Sequence, residues 1–167
     1  KKAGVVALFY PDKEQMTNLL LILRHTYPGI HSNQIGLPGG KAEKKDKNLL
    51  DTALRETHEE VGVRPGDIKI IRPLSEIYIP PSNFEVRPYL GLFDKKYPFV
   101  KQEDEVEELV EVPLIDFMDD SKMSTQILST SYADNIEVPA FKLMGYTVWG
   151  ATAMMLSEIK ELFKQVL

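Results

Sequence analysis

Leu37-Pro-Gly-Gly-Lys41 and, a few residues on, Leu49-Leu-Asp-Thr-Ala-Leu-Arg-Glu-Thr-His-Glu-Glu-Val-Gly-Val63 set a glycine-rich turn ahead of a helical pattern. Leu49, Leu50, Ala53, Leu54, Thr57 and Val61 recur at helical spacing and make one apolar or mixed stripe. Asp46 or Asn48 suits the cap at its start, Gly62 suits a left-handed end, and Pro65-Gly66 prevents continuation. The helix is therefore short. Glu56, Glu59 and Glu60 stand at i, i+3 and i+4, so their carboxylates project from one face. Such crowding opposes helix formation unless a hydrated divalent cation, the adjacent Arg55 or exposure to water offsets it.

On the N-terminal side, Gly4–Tyr10 and Leu19–Arg24 are apolar runs of strand length on either side of the turn Pro11-Asp12-Lys13, and they read as a hairpin-like pair. His25 to Gly36 is a loop that delivers the chain to the Gly39-Gly40 turn. On the C-terminal side, Ile68–Ile71, Leu74–Ile79 and Phe84–Phe93 are strand signals, with Pro80-Pro-Ser-Asn83 breaking the last two apart. Pro88 points to an edge, a bulge or the non-bonding side of its strand. The acidic run Glu103–Glu108 reads as a loop leading into a short strand at Leu109–Leu114, and Ile115–Met118 as a single helical turn. Lys122–Asn135 reads as irregular, with short strands at Ile136–Phe141 and Tyr146–Trp149. Met154, Met155, Ile159, Leu162, Phe163 and Val166 form the apolar stripe of a closing helix whose polar side is Glu158, Lys160, Glu161 and Lys164. Strands in this order, with two separated helices, predict a mixed α/β layer structure rather than a bundle or a β-sandwich.

Composition narrows the chemistry. The 167 residues, 43% of them hydrophobic, suit one domain spanning 1–167. A net charge of −5 supplies no basic footprint for a nucleic-acid polymer, so the expected partner is a small molecule. The absence of cysteine excludes disulfides and thiolate sites and favours a hard cation held by oxygen. No apolar run approaches a membrane span and no secretory pattern opens the chain, so no membrane partner and a cytoplasmic location are expected.

If Glu56, Glu59 and Glu60 share a site, they would hold Mg²⁺ or Mn²⁺ against a diphosphate and prepare water for attack on phosphorus. Gly39 and Gly40 would let backbone approach closely, and Arg55 would orient a carboxylate. Arg55-Glu-Thr-His-Glu-Glu-Val-Gly-Val63 resembles the C-terminal half of the Nudix box, with Thr57 at a usually apolar position. The first half of the box departs by one inserted residue and places Asp46 where the family has glutamate. Leu37-Pro-Gly-Gly-Lys41, Glu43, Asp46 and Thr52-Ala-Leu-Arg-Glu56, with Arg24, His31 and Gln34 before them and Val148-Trp-Gly-Ala-Thr-Ala153 near the end, look like the coenzyme A pyrophosphatase branch.

That resemblance implies a Nudix-like α/β/α sandwich with a mixed sheet and divalent-metal-dependent cleavage of coenzyme A or an acyl-coenzyme A to 3',5'-ADP and a 4'-phosphopantetheine product. An ADP-ribose or NADH pyrophosphatase is the enzymatic alternative, and a non-enzymatic nucleotide-binding regulatory domain the alternative from another class. The resemblance carries Glu56, Glu59 and Glu60 onto metal positions and Arg55 onto the residue that orients them. A later acidic residue, best matched by Glu105 with Glu103 and Glu108 as rivals, completes the catalytic and metal set, and Asp46 is a weaker ligand candidate. The water-activating base is left open among Glu59, Glu60 and Glu105. Arg24, His31, Gly39, Gly40, Lys41 and Arg87 are the expected substrate contacts. Gly29 and Asn33 stand where the branch has Arg and Gly, so one expected positive contact is either absent or supplied elsewhere, with Arg24, Lys41 and Arg87 as the possible substitutes. Family members are often dimeric, so a homodimer is also an expectation.

Overall fold

A computed structural model describes residues 1–25, 34–128 and 134–167. The expectations on His31, Gly29 and Asn33 lie outside the described residues. Lys2–Pro11 (β1) and Thr17–Arg24 (β2) pair antiparallel near their shared turn, with Leu8 opposite Leu20 and Pro11 opposite Thr17. Alternate residues of both strands enter opposite cores: Val5, Ala7, Phe9, Leu19 and Leu21 on one face, Val6, Leu8, Tyr10, Leu20 and Ile22 on the other. Burial on both faces explains why these segments are continuously apolar rather than alternating.

Beyond Leu8 the two strands part, and the glycine-rich stretch fills the fork. Ile35–Gly36 (β3) pairs with Ile22 and Leu23 of β2, while Gly39–Lys41 (β4) pairs with Ala3, Gly4 and Val5 of β1. Between them the Val6 N–H donates to the Pro38 carbonyl at 2.8 Å. The turn is thereby built into the sheet instead of hanging from it.

Leu49–Val61 (α1) crosses one face of β1, burying Ala53 and Val61. Its N-cap is Asn48, whose Oδ1 accepts the Asp51 N–H at 2.9 Å. Its end is Gly62 at φ 77°, a left-handed conformation that glycine adopts without a Cβ penalty. After a turn at Pro65–Asp67, Lys69–Pro73 (β5) and Ile77–Ile79 (β6) cover one side of Phe84–Leu92 (β7), which runs parallel to β1 on its other side. Pro88 thus lies in an interior strand, not at an edge. Its carbonyl accepts the Leu74 N–H at 2.9 Å, and its missing N–H falls where the chain passes from β5 to β6.

Val106–Pro113 (β8) runs antiparallel along β2, so the sheet includes part of the acidic run expected to be loop. Val106 and Val110 are buried, in the two opposite cores, while Glu107, Glu108 and Glu111 are exposed, and these charges mask the strand in the sequence. Leu114–Met118 (α2) is the expected helical turn. Met123–Leu128 (β9) corrects the irregular reading of this region: it pairs antiparallel with Ile136–Leu143 (β10), which pairs in turn with Tyr146–Val148 (β11). Ser124, Thr125 and Gln126 hide the strand from periodicity, and pairing with β10 reveals it.

Gly150–Lys164 (α3) packs with this second sheet against the remaining face of the large one, placing Ala153, Met155, Leu156 and Ile159 beside Phe9, Phe141 and Leu143. The architecture is a mixed α/β fold, a central mixed sheet flanked by helices. Two details of α3 differ from its sequence pattern. Met154, and Val166 just beyond the helix end, are exposed, whereas Lys160 is wholly buried. The Lys160 ammonium is satisfied by the Asp119 carbonyl at 3.1 Å and Asp120 Oδ1 at 3.0 Å, which is how a charge is tolerated there. No helix among the described residues is long and apolar enough to cross a membrane.

Candidate metal and diphosphate site

The site forms where α1 lies over the fork in the sheet. Gly39 holds φ 142°, and a Cβ there would sit 2.3 Å from the Gly4 carbonyl oxygen. A Cβ on Gly40 would lie 2.6 Å from the Glu56 carboxyl carbon. These two glycines let the turn pass directly beneath the carboxylates, a function a side chain would obstruct.

Glu60 is the buried member, with its side chain 1% exposed. Its oxygens accept from Arg24 Nη1 at 2.9 Å and from the Gly39 N–H at 2.8 Å. Burial nevertheless dominates and pushes its carboxyl up to about 7. Burial also raises the Glu56 carboxyl, with Arg55 acting in the opposite direction. Arg24, expected as a substrate contact, is engaged with Glu60 and, through Nη2, with the Gly39 carbonyl at 3.1 Å.

Arg55 spends its whole guanidinium on the protein. Nε and Nη2 clamp the two oxygens of Asp46 at 2.8 and 2.9 Å, and Nη1 reaches Glu56 at 2.9 Å and Glu59 at 3.0 Å. Nη2 also donates to the Lys41 carbonyl at 3.1 Å. Asp46 further accepts from the Thr52 hydroxyl and the Glu43 N–H, each at 2.9 Å, and the Arg55 guanidinium, with these two donors, holds its carboxyl well below the usual carboxylate range. It therefore acts as the partner of Arg55, and its place one residue out of register with the family pattern is compatible with that task.

Glu105 arrives from the segment before β8. The Val100 N–H donates to the Val61 carbonyl at 3.0 Å, the Gln102 N–H to the Glu60 carbonyl at 2.9 Å, and the His25 N–H to the Glu105 carbonyl at 3.2 Å. Those backbone bonds bring a ligand oxygen from each of Glu56, Glu60 and Glu105 within 4.8 Å of one another. The rivals are engaged elsewhere: Glu103 pairs with Lys101, and Glu108 accepts from the Tyr146 hydroxyl. Glu59 extends from the same helix but is half-exposed, turned to Arg55, and outside the group of three. Lys41 is exposed. Arg87 pairs with Glu76 at 2.7 Å and contacts the Leu74 carbonyl.

The donor set suits Mg²⁺ or Mn²⁺: three carboxylate oxygens, no nitrogen or sulfur, and two carboxyls whose ionisation burial disfavours until a positive charge arrives. With its folded value raised to about 7 from 4.5, Glu60 keeps a proton that the unfolded chain has already released, so stability falls as pH rises through that window. Asp46 has the opposite shift, and its contribution is lost only at acid pH, below its ordinary value of 3.8. Thermal melts in chelator should therefore drop between about pH 5 and 7.5, added Mg²⁺ should restore more stability at the upper end, and Glu60→Gln should flatten both trends, leaving the smaller contribution of Glu56.

The NUDIX domain description matches residues 1–128, and the chain belongs to the Nudix family. Over 99 residues it is 39% identical to an uncharacterized Nudix hydrolase, NudL, of Pectobacterium atrosepticum, a match covering 58% of this chain and 50% of that protein. Over 155 residues it is 30% identical to a peroxisomal coenzyme A diphosphatase of Caenorhabditis elegans, covering 92% of this chain and 64% of the relative. The chain thus spans about half to two-thirds of the length of these curated relatives. In fold it is similar to a crystal structure of Caenorhabditis elegans Ap4A hydrolase in a binary complex, with a TM-score of 0.63, 14% identity and 98% of each chain covered.

Gln102 has no sequence signal for its part in the site. Arg24 was legible as a site residue but not as the partner of Glu60, because nothing in their separation along the chain announces the sheet fork that joins them.

Proposed function

We propose that the chain hydrolyses the phosphoanhydride of a nucleoside diphosphate-linked small molecule, with coenzyme A or an acyl-coenzyme A as the leading substrate. The convergence of Glu56, Glu60 and Glu105 over the Gly39-Gly40 turn carries the reading of the chemistry. The likeness to a coenzyme A diphosphatase along 92% of the chain supports the substrate.

Glu56, Glu60 and Glu105 would hold Mg²⁺ or Mn²⁺, which when bound supplies charge neutralisation at the diphosphate and a more acidic water. Arg55 and Arg24 keep the carboxylates in place before substrate arrives, so little reorganisation is left for the reaction. Glu59 is the further carboxylate on this face, with the freedom of a half-exposed side chain. In the reaction, a water oxygen forms a bond to one phosphorus, the bond from that phosphorus to the bridging oxygen breaks, and the water's proton passes to a carboxylate. Glu105 is best placed to take that proton, since it is exposed while Glu60 is buried between Arg24 and Gly39.

The test is a substrate panel in Mg²⁺ and in Mn²⁺ with products identified. Coenzyme A should yield 3',5'-ADP and 4'-phosphopantetheine, and at a higher kcat/KM than ADP-ribose or NADH. Faster turnover of ADP-ribose would replace the substrate assignment, and nucleotide binding without turnover would favour a regulatory domain.

A further inference from the structure

We propose that Gln102 is a positioning residue that fixes Glu105 against Glu56 and Glu60, by tying the turn that carries one carboxylate to the helix that carries the other two. Every polar group of its backbone and the oxygen of its amide take part. The Gln102 N–H donates to the Glu60 carbonyl at 2.9 Å. The Gln102 carbonyl accepts from the Glu105 N–H at 3.2 Å and the Val106 N–H at 2.9 Å. The side-chain Oε1 accepts from the Asp104 N–H at 2.7 Å. One residue therefore contacts the main chain of Glu60 and of Glu105 and closes the turn between itself and β8.

The surroundings leave this turn as the adjustable part. Upstream, the Tyr97 hydroxyl donates to Asp67 at 2.6 Å and the Phe99 ring meets Tyr10 edge-on at a centroid distance of 4.8 Å. Downstream, Val106 is fully buried in the sheet. Between these anchors Glu105 is exposed, and its direction follows from the turn together with the His25 N–H that donates to its carbonyl. Removing the side-chain acceptor leaves the backbone bonds but frees the Asp104 N–H, and the turn opens into more conformations. The carboxylate of Glu105 then spends less time beside Glu56 and Glu60, which weakens a cation held by all three. Asparagine in place of Gln102 keeps an uncharged acceptor able to reach the N–H two residues on, the Asx-turn geometry.

The proposal rests on Glu56, Glu60 and Glu105 forming the metal site, and its test separates the two. Mn²⁺ binding is measured by isothermal titration for the wild type, Glu60→Gln, Gln102→Leu and Gln102→Asn, with thermal melts in chelator. Gln102→Leu should bind Mn²⁺ about tenfold more weakly while melting like the wild type in chelator, and Gln102→Asn should recover most of the affinity. If the Leu variant does not fold, Gln102→Ala is read in its place. Wild-type affinity in the Leu or Ala variant, or an Asn variant as weak as Leu, overturns the role of Gln102 alone. A wild type whose Mn²⁺ binding survives Glu60→Gln overturns the metal site and this proposal with it.

Discussion

Glu56→Gln should lower turnover roughly a thousandfold, since a metal site contributes several kcal/mol of transition-state charge stabilisation and each tenfold in rate corresponds to about 1.4 kcal/mol. The loss should fall on kcat measured at saturating Mg²⁺. It should leave the metal-free protein nearly as stable as the wild type. Glu56 sits 15% exposed beside Arg55, and burial already disfavours its charge. Glutamine has the same shape, still offers an oxygen to Arg55 Nη1, and loses the desolvation cost together with the ion pair. A single variant thus separates chemistry from folding. Turnover within a factor of a few of the wild type at saturating metal would remove Glu56 from the site, whatever the melting temperature.

Arg55→Lys should show the opposite balance, a large loss of stability accompanied by a loss of activity. Five hydrogen bonds, four of them to carboxylate oxygens, radiate from one planar guanidinium whose side chain is 15% exposed. An ammonium keeps the charge but cannot span Asp46, Glu56 and the Lys41 carbonyl together. Losing two charge-assisted hydrogen bonds, at about 1.5–3 kcal/mol each, predicts a destabilisation of about 3 kcal/mol or more by urea unfolding in chelator. Glu56 would no longer be held over Gly40, so turnover should fall with it. A loss below about 0.5 kcal/mol, the scale of an ordinary surface substitution, would show that the carboxylates are placed by the backbone alone.

Both variants trace to the stretch from Leu37 to Val63, and much of it was legible. Helical spacing gave α1, side-chain chemistry gave the Asn48 cap as one of two candidates, and Gly62 marked the end, because each depends on residues within a turn or two of one another. Other features escaped for reasons equally physical. The strand β9 carries Ser, Thr and Gln, and is held by pairing with β10, a partner whose identity no local pattern discloses. Lys160 reads as a surface residue at its helical position, yet it is buried because Asp119 and Asp120 come from an element far away in the chain to meet it. Pro88 pointed to an edge, a bulge or the non-bonding side of its strand, and an interior strand tolerates it because the neighbours on that side change over at that residue.

Spacing within one element was enough to read the helix, the glycines before it, the carboxylates along one of its faces and the family they mark. Tertiary structure decided which carboxylates meet. Glu105 was separated from Glu103 and Glu108 by the Gln102 N–H bound to the Glu60 carbonyl and the His25 N–H bound to its own, Arg24 was assigned to Glu60 by the fork between β1 and β2, and Arg55 was committed to Asp46 by the fold of the intervening loop. Long-range contacts of this kind are fixed by the closure of the chain on itself, and only the folded geometry contains them.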